Sequence, residues 1–232
     1  MVFIMPVNIA KVCRLIDYTN LKPTATFSDI IRMIEEAEKY GFYGVCVNPI
    51  YVRFVKDLVS KGNIKVVTVI SFPLGATPPS NKIYEAERAI KDGADELDIV
   101  SCISYLLSNR FDLFQNDVES VVSYLKREYP DIVIKVIVDL PYLNGRFSDV
   151  IANVINSTKP DFFKTSTGFA PRGTTVDDVL TFRELLSKDI KIKAAGGIRS
   201  YKQLLELVKA GASRIGTSTA IQIVEEARRM SK

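Results

Sequence analysis

The sequence predicts an α/β fold: a single (β/α)8 TIM barrel formed by residues 1–232, with one extra N-terminal helix. Three observations carry that expectation. Apolar strand-like runs alternate with amphipathic helical segments along the whole chain, with no linker-like stretch between them. The strand-like runs are mostly continuous in apolar residues, the pattern of a parallel sheet covered by helices on its outer face. The junctions also repeat: Tyr40-Gly41-Phe42, Asp92-Gly93-Ala94 and Ala210-Gly211-Ala212 each close a helix and open a strand. Glycine at that position ends a helix in the left-handed region. A doubly wound open sheet is the alternative, and eight strand–helix alternations favour the barrel.

In chain order, the extra helix is expected around Asn8–Val12, covering the barrel bottom. The eight strands are expected at Arg14–Asp17, Gly44–Val47, Lys65–Ser71, Glu96–Ser101, Val133–Asp139, Asp161–Thr165, Lys191–Ala194 and Arg214–Gly216. Helical stripes lie between them. Ile30, Met33, Ile34 and Ala37 share one face, as do Ile83, Ala86 and Ile90. Val179, Phe182, Leu185 and Leu186 form a third stripe, and Leu204, Leu205, Leu207 and Val208 a fourth. Helix starts carry capping pairs: Thr26 with Asp29, Thr175 with Asp178, and Ser200 with Gln203. Lys56, Asp57 and the run Glu35–Lys39 read as solvated helix faces.

Composition narrows the chemistry. A hydrophobic content of 47% in 232 residues is ample for a large core. The net charge of +4 is mild and suits a small anionic substrate, while no basic-aromatic stripe points to nucleic acid. Three cysteines without CxxC spacing argue for a reducing cytoplasm, and Cys46 and Cys102 lie in core-like runs. The apolar start Met1–Met5 is stopped by Pro6 and Asn8, so it does not read as a signal peptide, and no apolar run reaches membrane-spanning length. Histidine is absent, which excludes Ser-His-Asp and Cys-His triads and any His-ligated metal. Acid–base work falls to Lys, Asp, Glu, Tyr or Cys.

Two lysines stand at strand ends before glycine turns, Lys164 in Asp161–Phe169 and Lys193 in Ile190–Arg199. Lysine is rarely buried unpaired, and a desolvated amine loses its proton more readily and becomes a nucleophile. The pair suggests Schiff-base chemistry. Charges recur inside apolar strands at Asp17, Asp98, Lys135, Asp139, Lys164 and Lys193, which predicts a mixed Asp/Lys cluster in the barrel mouth. A purely structural ion-pair network is the other reading of these charges alone. Separately, the segments Ala194–Ser200 and Arg214–Thr219 leave the seventh and eighth strands through glycine and open helices, an arrangement suited to an anion.

Several segments together resemble the deoxyribose-phosphate aldolase family over nearly the full length. These are Ile16–Pro23, Val45–Pro49, Ser71–Gly75, Glu96–Val100, Lys164–Phe169, Lys193–Arg199 and Ile215–Ser218. KTSTGF and KAAGGIR are the specific ones. The resemblance implies a class I aldolase that cleaves 2-deoxy-D-ribose 5-phosphate to acetaldehyde and glyceraldehyde 3-phosphate, without metal or other cofactor. It implies that Lys164 forms the Schiff base, with Lys193 as second lysine and Asp98 as proton-relay carboxylate. Substrate contacts would come from Asp17, Thr19, Gly168, Gly196, Gly197, Arg199, Gly216, Thr217 and Ser218. The implied partner is a small phosphorylated sugar, and the implied state a homo-oligomer, dimer or tetramer. The chain departs from the family at Tyr18, where histidine is usual, at Ser101-Cys102, where asparagine is frequent, and at Asp139, where Glu-Thr is usual. A class I aldolase for another sugar phosphate, and a non-catalytic sugar-phosphate-binding barrel, are the rival readings.

Overall fold

In the computed structural model, which describes residues 8–59 and 63–230, eight parallel strands close into a barrel in sequence order, the first pairing with the last. The strands are β1 (Ile16–Asn20), β2 (Gly44–Val47), β3 (Lys65–Ile70), β4 (Glu96–Val100), β5 (Val133–Ile137), β6 (Phe162–Lys164), β7 (Lys191–Ala195) and β8 (Arg214–Thr217). The helices around them are α1 (Ile9–Cys13), α2 (Phe27–Tyr40), α3 (Val52–Leu58), α4 (Pro79–Lys91), α5 (Ile103–Leu107), α6 (Phe111–Glu128), α7 (Leu140–Leu143), α8 (Ser148–Thr158), α9 (Val176–Leu185), α10 (Tyr201–Lys209) and α11 (Ala220–Met230). No helix among the described residues is long and apolar enough to cross a membrane.

The helices form where local signals place them. Capping boxes at Thr26/Asp29, Thr175/Asp178 and Ser200/Gln203 satisfy amides at the starts of α2, α9 and α10. Gly41, Gly93 and Gly211 follow the ends of α2, α4 and α10 with φ of 73°, 104° and 117°, where a side chain would be strained. The stripe Ile30, Met33, Ile34 and Ala37 is buried as expected. The extra helix is present as α1, and it packs against α11.

Three expectations shift. The first strand starts at Ile16, because Arg14 caps α1 and its guanidinium donates to the carbonyls of Phe42 and Asn63, both at 3.2 Å. The fifth strand stops at Ile137, and Asp139 becomes the residue before α7. On α4 the buried face is Lys82, Ala86 and Ala89, with Ile83 and Ile90 half-buried. Lys82 is fully buried because its ammonium donates to both oxygens of Asp117 on α6 (2.6 and 2.7 Å) and to the carbonyl of Val100 (2.9 Å). Asp117 in turn accepts from the amide of Cys102 at 2.9 Å, so the pair ties α4 and α6 to the end of β4. Lys56 is exposed as expected and reaches Asp95 at 3.0 Å, while Glu36 is half-buried and accepts from the Tyr18 hydroxyl at 2.9 Å.

The main core lies between barrel and helices. A smaller apolar cluster of Leu21, Cys46, Val67 and Val69, with Phe72 against it, fills the β2–β3 side of the interior. The opposite side is polar, and the site lies there.

Candidate active site

Register brings the charged residues together. In a parallel pair, partners across a ladder point to the same face. Lys164 on β6 is the partner of Lys193 on β7, Asp98 on β4 is the partner of Lys135 on β5, and Asp17 on β1 is the partner of Gly216 on β8. Gly216 has a steric role: a methyl there would sit 3.1 Å from Cε of Lys193 and 3.2 Å from Cβ of Ala195. Its bareness lets the Lys193 side chain cross β8 towards β1.

The result is one hydrogen-bonded ring of ions inside the barrel. Lys164 Nζ donates to Asp98 Oδ2 at 2.7 Å. Lys193 Nζ donates to the same oxygen at 2.7 Å and to Asp17 Oδ2 at 2.5 Å. Lys135 Nζ bridges Asp98 Oδ1 at 2.8 Å and Glu96 Oε2 at 2.7 Å. Arg214 Nη1 closes the circuit to Asp17 (2.8 Å) and Glu96 (3.3 Å), and the Tyr43 hydroxyl donates to Glu96 at 2.7 Å. All three lysines are buried, Lys135 and Lys193 completely.

Four cations thus face three carboxylates, and they are not equally served. Lys135, Lys193 and Arg214 each contact two carboxylates, whereas Lys164 contacts one, through an oxygen it shares with Lys193. Burial disfavours the Lys164 ammonium, the Lys193 charge opposes it further, and Asp98 compensates only in part, so its pKa is lowered. Lys193 is equally desolvated, yet Asp17 and Asp98 together raise its pKa. Burial alone would raise the Asp98 carboxyl, but Lys135, Lys164 and Lys193 overcome it and hold it well below the usual range. Asp17 is held at about 2 against its own desolvation by Lys193 and Arg214. Lys164 is therefore a buried amine poised to be neutral beside a cationic lysine and an ionised carboxylate, the electrostatic setting of a nucleophile.

A cavity of about 210 Å³ opens above Lys164, bounded by the loops after β1, β6, β7 and β8. Of the predicted contacts, Thr19, Gly168, Gly196, Gly197, Arg199, Gly216, Thr217 and Ser218 line it, whereas Asp17, Asp98 and Lys193 lie outside its lining, buried in the barrel interior. The side chain of Thr217 is occupied, its hydroxyl donating to the Ile198 carbonyl at 2.7 Å and tying the β8 loop to the β7 loop. Asn20, Lys22 and Phe169 also line the cavity and were not singled out as site residues from sequence. Gly197 and Gly173 pack backbone to backbone: a methyl on Gly197 would come within 2.9 Å of Gly173 Cα. Ser218, which lines the cavity, is one of the two residues between β8 and α11.

Asp139 stands apart from the predicted ion cluster. Its Oδ1 accepts from the Ser166 hydroxyl (2.7 Å) and the Thr167 amide (2.9 Å), and its Oδ2 from the Thr167 hydroxyl (2.7 Å). Those hydroxyls accept from the amides of Gly168 and Phe169. The carboxylate shapes the loop that follows Lys164 instead of neutralising a lysine. Glu96 and Arg214, which do belong to the ring, were missed. Glu96 stands two residues before Asp98 and so shares its face, a signal present in the sequence.

Comparison with known proteins finds aldolases over nearly the full length of the chain. A family model described as DeoC/LacD family aldolase matches residues 12–221. The deoxyribose-phosphate aldolase of Thermococcus kodakarensis is 46% identical over 222 residues, covering 95% of this chain and 98% of the relative. That of Thermococcus gammatolerans is 45% identical over 219 residues, covering 94% and 96%. Among solved structures, the deoxyribose phosphate aldolase of Aeropyrum pernix, reported with a unique tetrameric structure, superposes with a TM-score of 0.86 at 31% identity, covering 97% of this chain and 94% of that one.

Proposed function

The chain belongs to the DeoC/LacD family of aldolases, and from that premise we propose that it is a deoxyribose-phosphate aldolase, one (β/α)8 domain cleaving 2-deoxy-D-ribose 5-phosphate reversibly to acetaldehyde and D-glyceraldehyde 3-phosphate. The observation that carries the reading is the pairing of Lys164 and Lys193 on one carboxylate oxygen of Asp98 below the cavity.

The chemistry runs as follows. The neutral Lys164 amine attacks the C1 aldehyde, and loss of water from the carbinolamine gives an iminium. That cation draws in the electron pair of the C2–C3 bond while the C3 hydroxyl gives up its proton. C3 becomes the aldehyde of glyceraldehyde 3-phosphate, and C1 and C2 remain on Lys164 as an enamine. A proton delivered to C2 restores an iminium, and water releases acetaldehyde and the free amine. Asp98, ionised by its three lysines, accepts and returns protons. Lys193, held cationic, donates one to the departing carbinolamine oxygen and keeps Lys164 deprotonated. The phosphate sits against the Gly196–Arg199 turn and the Gly216–Ser218 segment, where backbone amides at glycine turns suit an anion.

The reading extends to a homo-oligomer, dimer or tetramer, supported by the tetrameric Aeropyrum pernix relative. It also extends to the reducing cytoplasm, supported by Cys13, Cys46 and Cys102 all being free thiols. A substrate panel tests it. Cleavage of 2-deoxyribose 5-phosphate should exceed that of ketose phosphates of similar size. A ketose phosphate cleaved far faster would leave the aldolase chemistry and overturn the named substrate.

A further inference from the structure

Lys135 is the third buried lysine of the barrel interior, wholly enclosed, and its ammonium is held by Asp98 and Glu96. Among the described residues it is the sole cation bridging Asp98 to Glu96. We propose that Lys135 is a positioning residue which sets the charge balance of the barrel interior, so that Lys164 is the amine that gives up its proton. The inference rests on the reading of Lys164 as the imine-forming residue.

The groups facing Lys164 can be followed around the barrel. Asp17 comes from β1, Cys46 from β2 with Tyr43 just before it, Glu96 and Asp98 from β4, Lys135 from β5, Lys193 from β7 and Arg214 from β8. β3 supplies the apolar Val67 and Val69. In the loops above, Lys22 and Arg199 stand at the cavity rim and Asp139 is engaged by Ser166 and Thr167. Burial keeps the Cys46 thiol neutral, its pKa pushed up to about 11. Three carboxylates remain against four cations. With Lys164 protonated the interior carries one surplus positive charge, and with Lys164 neutral it carries none.

A surplus charge in a desolvated interior is costly, and it is relieved at the cation with the poorest company. That cation is Lys164, because Lys135 claims the other oxygen of Asp98 and Lys193 shares the remaining one. Without Lys135, the interior balances with Lys164 protonated. Without the Glu96 charge, the surplus grows and Lys164 sheds its proton more readily. The two changes must therefore act in opposite directions, a signature that mere structural damage does not give.

The test is reductive alkylation of the whole protein with acetaldehyde and cyanoborohydride across a pH series, with Lys164 modification quantified by peptide mass mapping. The wild-type rate should fall as pH drops and the amine protonates. In Lys135→Met this acid limb should move to higher pH, with about tenfold slower labelling at a fixed pH on the limb and a similar plateau above it. In Glu96→Gln, whose amide can turn its oxygen to Lys135 and its nitrogen to Tyr43, the limb should move to lower pH. The double variant should return towards wild type. Limbs that stay in place, or move together, overturn the proposal. If Lys135→Met fails to fold, Glu96→Gln and the double variant decide. Failure of the wild-type protein to alkylate Lys164 ahead of exposed lysines would instead remove the functional reading itself.

Discussion

Lys164 and Lys193 are the same side chain on neighbouring strands, facing one another in register, yet their surroundings drive them in opposite directions. The difference is one carboxylate: Asp17 serves Lys193 and does not reach Lys164. Replacing Lys193 with methionine keeps the length and removes the charge. Such a variant should keep its circular dichroism spectrum and lose about 10²-fold or more in kcat, the range of a positioned proton donor. Near-normal turnover would take Lys193 out of the mechanism. The two lysines were legible in the sequence because a charge inside an apolar strand is conspicuous. The roles of Lys135, Glu96 and Arg214 were not. Arg214 and Lys193 meet Asp17 across 197 and 176 residues of chain, and only closure of the barrel creates that contact.

Among the elements, the β6 loop shows how a single side chain governs a segment. Asp139 takes three hydrogen bonds from Ser166 and Thr167, and those residues hold Gly168 and Phe169 at the cavity wall. Phe169 then meets Phe72 of the β3 loop edge to face at 5.2 Å. Asp139→Ala would leave buried donors unpaired and loosen the loop that starts at Lys164. We expect kcat/KM to fall about 10²-fold, since misplacement by an ångström carries that penalty. Asp139→Glu should recover part of it. Activity within twofold of wild type in the alanine variant would show that the loop holds itself. Capping boxes and terminal glycines were readable because they are local. The α4 stripe packs against the core as expected, but buried Lys82 beside it was not legible, because its partner Asp117 lies 35 residues on. Asp139 was misassigned for the related reason that inward-facing charge does not say which neighbour it meets.

For the whole molecule, the barrel converts strand order into chemistry. Eight short strands turn alternate side chains inward, the helices seal the outer face, and the apolar β2–β3 side leaves the charges on the remaining strands to one another. The strand sequence and helix faces were readable throughout, since continuous apolar runs and 3.6-residue stripes are imposed by burial. Strand ends were less so, because Arg14 and Asp139 leave the ladder for tertiary partners. The central claim is that this arrangement makes Lys164 a Schiff-base nucleophile. Borohydride trapping with 2-deoxyribose 5-phosphate, followed by peptide mass mapping, tests it most directly. A reduced two-carbon or five-carbon adduct on Lys164 is the predicted result. An adduct on Lys193 would exchange the two lysine roles, and none on either lysine, with substrate shown to bind, would contradict the aldolase mechanism.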